Sequence, residues 1–253
     1  IGNIDRLILY AILNMFISIV MLIIYFVYCK KNIYFITIKK YKDVKLVKSM
    51  MSFSGWSIFG SFASIAVNQG INVFINHFCG VLLNAAIAVA TQANNAVTSF
   101  LTNFQTAFNP QLVKSYAQKD MEYVYNFAYK TSKYSFFLMY FIILPFSINL
   151  DFVLSIWLTE VPAMTAQFIN AMLMIALVDA LADPFWMLAM AEGNIKTYQF
   201  VGAITMLLIL PIVYLLLRLN LPAYWAFYIK LFQNIGFLFY RLVYLKKRIQ
   251  LPL

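Results

Sequence analysis

Charged residues are scarce in this chain of 253 residues, and their scarcity excludes a soluble globular protein. Asp, Glu, Lys and Arg make up only 11% of the residues, against roughly 25% in a soluble domain, and 63% are hydrophobic. Lys and Arg outnumber Asp and Glu by 19 to 9, but they cluster between long apolar runs, which argues against a nucleic-acid partner. The composition therefore predicts a membrane protein.

Cysteine and histidine, which often build metal sites and active sites, are also scarce. The spacing of the two cysteines, Cys29 and Cys79, is not that of a metal site, and the single histidine, His77, cannot form one alone. The sequence contains no glycine-rich phosphate loop, HExxH motif or serine–histidine–aspartate set. The outer loops are too short to build an extramembrane active site. We therefore predict a protein that is not an enzyme, with no catalytic residue and no metal.

Seven apolar segments are each long enough to cross a bilayer, which takes about 20 residues. They are Leu7–Tyr28, Met50–Asn76, Ala85–Phe108, Tyr134–Leu158, Gln167–Met190, Tyr198–Leu217 and Tyr224–Leu245. Pro145 and Pro211 lie inside two of them and are expected to bend those helices. Because the chain begins at Ile1 without a methionine, we expect an internal piece of a longer protein. The predicted fold is an all-α integral membrane protein with about seven transmembrane helices.

The positions of the basic residues predict how these helices are oriented. Of the 19 lysines and arginines, Lys230 lies within the seventh segment and only Arg6 and Arg218 fall on one side of the bundle. The others, including Arg241 near the end of the seventh segment, fall on the opposite side, which the positive-inside rule makes cytoplasmic. That side is predicted to hold the C-terminus and the loops 30–49, 109–133 and 191–197.

Two neighbouring segments carry more amides than lipid-facing helices do. Asn68, Asn72 and Asn76 recur every four residues with Gln69 beside them, so they share one helix face. The next segment repeats polar residues at three- and four-residue steps: Thr91, Asn95, Thr98, Thr102, Gln105 and Asn109. Such a stripe is costly in hydrocarbon unless it faces protein or a water-filled cavity. Hydrogen bonds between packed helices explain a single amide, but two stripes of this length favour a polar substrate pathway.

Charged residues inside the predicted spans are further candidates for function. Asp179 and Asp183 lie one helical turn apart in the fifth segment, and Lys230 lies in the seventh. Because an ion in the bilayer is expensive, we expect all three to point into the bundle, where they can pair. Their predicted roles are proton or sodium coupling, or recognition of a polar headgroup. In the alternative interpretation, Asp183 and Lys230 reach towards opposite interfaces and have no further role.

Three stretches of sequence resemble a known family of membrane proteins. GWSIFGSFASIAVNQGINVFINHFCG, followed by NAAIAVATQANNAVTSFLTNFQTAFNPQLVKSYA, is similar to the polysaccharide-biosynthesis flippases. These are Wzx-type members of the multidrug/oligosaccharidyl-lipid/polysaccharide exporter (MATE-like) superfamily. LVDALADPFWMLAMAEGNIKTYQ is similar to a later helix pair of the same proteins.

The resemblance implies two six-helix bundles around a central cavity that opens alternately to each side of the bacterial cytoplasmic (inner) membrane. By that comparison, residues 1–29 are the last helix of the N-terminal bundle. Residues 30–49 are then a basic cytoplasmic loop between the bundles, and residues 50–253 are the six-helix C-terminal bundle. The resemblance also implies cavity roles for several side chains: Asn68, Gln69, Asn72, Gln92, Asn95, Gln105 and Asp179.

Two positions depart from the family pattern. The family has an arginine where this chain has Ile87, and a small residue where it has Asp183. The departure at Ile87 removes a cation that would contact pyrophosphate at this helix start.

The function that the resemblance implies is translocation of a polyprenyl-pyrophosphate-linked oligosaccharide for a cell-surface polysaccharide such as lipopolysaccharide O-antigen. Expected partners are that lipid-linked oligosaccharide, membrane lipids and other polysaccharide-assembly membrane proteins, and no cofactor is expected. A drug or metabolite exporter of the same superfamily is an alternative, and it predicts an acidic residue in the pathway. A membrane scaffold without a substrate is another, and it predicts amides that pack together and leave no cavity.

Overall fold

The computed structural model describes residues 6–32 and 43–252, and 89% of these residues are helical. No strand forms in this described part of the chain. Its helices are α1 (Arg6–Asn32), α2 (Val44–Cys79), α3 (Val81–Ala117), α4 (Met121–Ile148), α5 (Leu150–Trp157), α6 (Thr165–Ala191), α7 (Lys196–Leu207), α8 (Ile209–Arg218) and α9 (Trp225–Ile249).

Five helical segments are long and apolar enough to cross a membrane. They are Ile8–Asn32, Val44–Cys79, Met121–Ile148, Thr165–Ala191 and Lys196–Arg218. Helices α3 and α9, with 37 and 25 residues, have the required length but are too polar to be counted among them. The prediction of an all-helical membrane protein is therefore confirmed in this coarse form, while seven spans remain a prediction.

The chain divides after Val47 into two compact units. In the first, α1 is a continuous helix of 27 residues whose most apolar stretch has a mean hydropathy of 2.5 and no buried residue. A helix that is apolar on all sides suits a lipid environment. Lys39, Lys40 and Lys42 of the predicted basic loop lie outside the described residues.

Helix α6 is the centre of the second unit and packs against α3, α4 and α9. Helices α7 and α8 pack in turn against α9. The apolar core falls into two clusters, one that includes Phe168 and Leu173 and another that includes Leu188 and Leu245. Polar side chains of α6 and α9 lie between these clusters, so the middle of the bundle is its polar layer.

Helix α2 lies along α7 and α8, where aromatic rings and a glycine make the contact. The ring centroids of Phe74 and Tyr214 are 5.8 Å apart. A Cβ atom on Gly70 would lie 2.5 Å from Leu210 Cδ2, so any larger residue would require the Leu210 side chain to move. At the end of α2, Gly80 turns the chain into α3 with a φ of 87°, a left-handed conformation that favours glycine.

Two predicted spans are each interrupted by a short break. The fourth is α4 followed by α5, with the break at Asn149, whose φ of −102° and ψ of 22° are not those of a helix. Its backbone N–H still donates to the carbonyl of Pro145, four residues earlier, and its side-chain amide donates to the same oxygen. This side-chain bond competes with the helical ladder. The sixth is α7 followed by α8, with the break at Leu208. Pro211 has no N–H to offer the carbonyl of Leu207, which explains that position.

The predicted loop over 109–133 is wrong. Helix α3 continues to Ala117, and α4 already begins at Met121, so only residues 118–120 connect them. The carboxylate of Asp120 accepts a hydrogen bond from the backbone N–H of Tyr123 at 3.2 Å and so starts α4. Helix α2 likewise begins at Val44 rather than at Met50.

Candidate substrate cavity

A cavity of about 360 Å³ lies between α2, α3, α6 and α9 in the second unit. It forms because α3 and α9 both pack on α6, whereas α2 is held by side chains of α7 and α8. Its polar lining residues are Asn68, Gln69, Asn72, Thr91, Asn94, Thr98, Asp179 and Lys230. Its apolar lining residues are Ile71, Ile87, Met172, Ile175, Ala176 and Phe227.

The two charged residues of the cavity are each bound to an amide. Lys230 Nζ donates to Asn68 Oδ1 at 2.9 Å, and Asn234 Nδ2 donates to Asp179 Oδ1 at 3.0 Å. Within the described residues, the ion pair that forms is the one between Arg248 and Glu192. The expected pairing of Lys230 with an acidic residue of α6 is therefore not found, and Lys230 is bound to Asn68 of α2.

The wall that α3 contributes includes two threonine hydroxyls, those of Thr91 and Thr98. The hydroxyls of Thr91 and Thr98 donate to the carbonyls of Ile87 and Asn94, four residues earlier in their own helix, each at 2.8 Å. Their oxygen lone pairs therefore remain available to the cavity. Asn94 Oδ1 is buried and has no hydrogen-bond partner among the described residues.

The cavity brings together only some of the residues predicted for the pathway. Asn68, Gln69, Asn72, Asp179 and Lys230 line it. The remaining predicted residues lie elsewhere: Asn76, Gln92, Asn95 and Thr102 are exposed, Asn109 and Asp183 are half-buried, and Gln105 is buried. Thr91 and Thr98, which belong to the predicted stripe, also line the cavity, together with Asn94, which was not predicted.

Arg241, which was predicted only as one of the cations on the cytoplasmic side, is a buried residue within α9 and is only 9% exposed. Its Nε donates to Tyr198 Oη at 2.7 Å, and its Nη1 donates to the carbonyl of Ala182. The guanidinium also lies 5.5 Å from the ring centroid of Phe237. Aromatic residues on both sides of Arg241 in the sequence were the available signal.

The C-terminal end of α9 is fixed to α4 and α6 by several hydrogen bonds. The hydroxyls of Tyr125 and Tyr129 of α4 donate to the carbonyls of Ile249 and Pro252. Arg248 Nη2 lies 2.6 Å from a carboxylate oxygen of Glu192, just after α6. That carboxylate raises the pKa of the Arg248 guanidinium above its ordinary value.

The described residues include no group of three or more histidine, cysteine, aspartate or glutamate side chains that is placed to hold a metal ion. Cys29 and Cys79 are free thiols. What the cavity offers is therefore hydrogen bonding and charge: one ammonium, one carboxylate, several amides and the threonine oxygens. This set can bind a polar ligand.

Comparison of the chain with known protein families, with curated proteins and with solved structures gives no match.

Proposed function

We propose that the chain is the C-terminal part of a flippase that moves a polyprenyl-pyrophosphate-linked oligosaccharide across a bacterial cytoplasmic membrane. The observation that carries this proposal is the polar cavity between α2, α3, α6 and α9, all four of which also contribute buried apolar residues to the core around it. Charged and amide groups are expensive in hydrocarbon. A water-filled or ligand-filled cavity compensates for that cost.

The chemistry of the cavity suits a sugar-containing headgroup. The amides of Asn68, Gln69 and Asn72 both donate and accept hydrogen bonds, as sugar hydroxyls do. Lys230 supplies a positive charge for a phosphate or carboxylate. The volume of about 360 Å³ is at the small end of the roughly 300–1,000 Å³ of ligand sites, so the cavity holds part of the headgroup. The lipid tail stays in the bilayer.

In this proposal transport follows alternating access in a MATE-like arrangement. Residues 50–253 rock as one bundle against an N-terminal bundle that residues 1–29 complete, with residues 30–49 between them. The ends of the helices that carry most lysines face the cytoplasm. Protons or sodium ions drive the cycle through Asp179, which lines the cavity. Other polysaccharide-assembly membrane proteins are the expected partners.

A drug or metabolite exporter is the second candidate, and the apolar part of the cavity favours it. Ile87, Met172, Ile175 and Phe227 form a wall that suits an amphipathic compound, and Asp179 provides the acidic residue which that hypothesis requires. The scaffold hypothesis is less favoured because it predicts packed amides without a cavity.

The test is to delete the gene and to quantify lipid-linked oligosaccharide on each leaflet of the membrane. The flippase proposal expects accumulation on the cytoplasmic leaflet, restored by the wild-type gene but not by Asn72→Leu. Asn76→Leu is the matched control, because this amide lies one turn further along α2, is exposed and does not line the cavity. Unchanged oligosaccharide lipids with altered sensitivity to cationic drugs would overturn the proposal in favour of the exporter.

A further inference from the structure

Two opposite charges face the same cavity without forming an ion pair. Lys230 uses one of its three N–H donors on Asn68, and Asp179 accepts one hydrogen bond from Asn234. Opposite charges attract strongly where water is scarce. Each is bound to a different amide, and no direct ion pair forms between them, so each charge remains available to a ligand in the cavity.

The hydrogen-bonding character of the cavity differs from one wall to the other. On the α3 side, Thr91 and Thr98 present oxygen lone pairs. Asp179 of α6 adds a carboxylate to these acceptors. Lys230 of α9 is the charged donor, and it lies against α2 through Asn68. A ligand that complements both walls must carry an acidic group and a positively charged donor.

We propose that the cavity binds a sugar unit that carries both a carboxylate or phosphate and an amino group. The acidic group lies at Lys230, and the ammonium lies at Asp179 beside the acceptors of α3. This inference rests on the proposed function, since it names the class of sugar in the translocated headgroup. The cavity volume of about 360 Å³ limits recognition to a small part of the glycan.

The experiment measures equilibrium binding of four sugars with the same ring to the purified, detergent-solubilised protein. The sugars are galactose, galacturonic acid, galactosamine and 2-amino-2-deoxygalacturonic acid, which are neutral, anionic, cationic and zwitterionic. Calorimetric titration is carried out on the wild type, Lys230→Gln and Asp179→Asn. Both replacements keep a side chain that can hydrogen-bond to the amide partner, Asn68 or Asn234. Asp151→Asn on α5, which does not line the cavity, is the control.

We expect the zwitterionic sugar to bind about tenfold more tightly than either singly charged sugar, as one charge-assisted hydrogen bond requires. Lys230→Gln should remove the preference for the acidic group and keep that for the amine. Asp179→Asn should do the reverse, and Asp151→Asn should change neither. Each replacement thus tests one wall of the cavity.

Equal binding of the four sugars, or binding of none, would overturn the inference. So would the loss of both preferences in one variant that retains wild-type thermal stability. The leaflet measurement is independent of this result. Accumulation of oligosaccharide lipid together with unselective binding would reject the zwitterionic sugar and keep the flippase, and selective binding without accumulation would reject the flippase.

Discussion

Helices α6 and α9 run side by side, and their two ends are built differently. At the level of Asp179 they border a cavity, and the hydrogen bond from Asn234 is the contact between their polar side chains. Further along, at Glu192, an ion pair with Arg248 joins them, and the single hydroxyl donor of Tyr244 lies within hydrogen-bonding distance of both Glu192 and the carbonyl of Asn194. The same pair of helices is thus open at one end and closed at the other.

The difference suggests a division of roles within the second unit. At the closed end, tyrosine hydroxyls of α4 donate to one backbone carbonyl at the last residue of α9 and to another just after it, so main chain and side chains are fixed together. At the cavity, single amide bonds hold the charged groups, and these can be exchanged for bonds to a ligand. Arg241 lies between the two regions and connects α9 to α6 and α7. We expect stability to depend on the middle and the closed end, and ligand binding on the cavity.

The largest expected effect comes from Arg241→Met. This replacement leaves Tyr198 Oη and the carbonyl of Ala182 without their buried donor, and it removes the contact with Phe237. We expect the free energy of unfolding in mixed micelles to fall by about 2–4 kcal/mol. Arg241→Lys keeps the charge but not the planar donor geometry. Its free energy of unfolding should therefore lie between those of the wild type and Arg241→Met. If Arg241→Met were as stable as the wild type, the hydrogen bonds of Arg241 would not contribute to the stability of the second unit.

A smaller effect is expected where α2 meets α8. In Gly70→Val the new side chain would collide with Leu210, whose Cδ2 lies 2.5 Å from the position of a Cβ atom. The resulting strain should cost about 1–3 kcal/mol of unfolding free energy and displace the α2 wall of the cavity. Gly236→Val on α9 is the control, because no atom lies within 4 Å of its Cβ position. Equal effects of the two replacements would contradict the described packing.

Two buried serines on α4 provide a finer comparison. Ser132 Oγ donates to the carbonyl of Leu181 at 2.8 Å, whereas Ser135 Oγ is buried without a partner among the described residues. Ser132→Ala should lower the free energy of unfolding by about 1 kcal/mol, and Ser135→Ala should leave it unchanged or raise it. The same micelle unfolding measurement distinguishes them. The reverse order would show that α4 is rotated relative to α6.

The smallest effect on stability is expected from Arg248→Met at the closed end. Its side chain is 40% exposed, and water weakens exposed ion pairs. The unfolding midpoint should therefore stay close to that of the wild type, because Tyr125 and Tyr129 still hold the residues that follow α9. A large loss of stability would mean that the ion pair itself closes this end.

The apolar runs and the period of polar residues predicted the helices and the amide faces. The sequence predicts that α1 is a long apolar helix and that the amides of α2 share one face. Both predictions depend only on local properties, the length of an apolar run and a four-residue spacing. The hydrogen-bond partners of Lys230 and Asp179 do not, since they depend on the rotation of α2, α6 and α9 relative to one another. Arg241 was missed for a related reason: charge near a helix end suggests a flanking residue, and only packing reveals that it is buried.

Transport of a polar headgroup requires that the cavity between α2, α3, α6 and α9 admits water and polar ligands. Thiol labelling in membranes measures this access, after Cys29 and Cys79 have been replaced by serine. Thr98→Cys lies on the cavity wall, and Met174→Cys lies at 45% exposure on α6 but does not line the cavity. If the cavity admits water, a charged, membrane-impermeant thiol reagent should modify Thr98→Cys much faster than Met174→Cys. Equal rates, or no modification of Thr98→Cys, would contradict it.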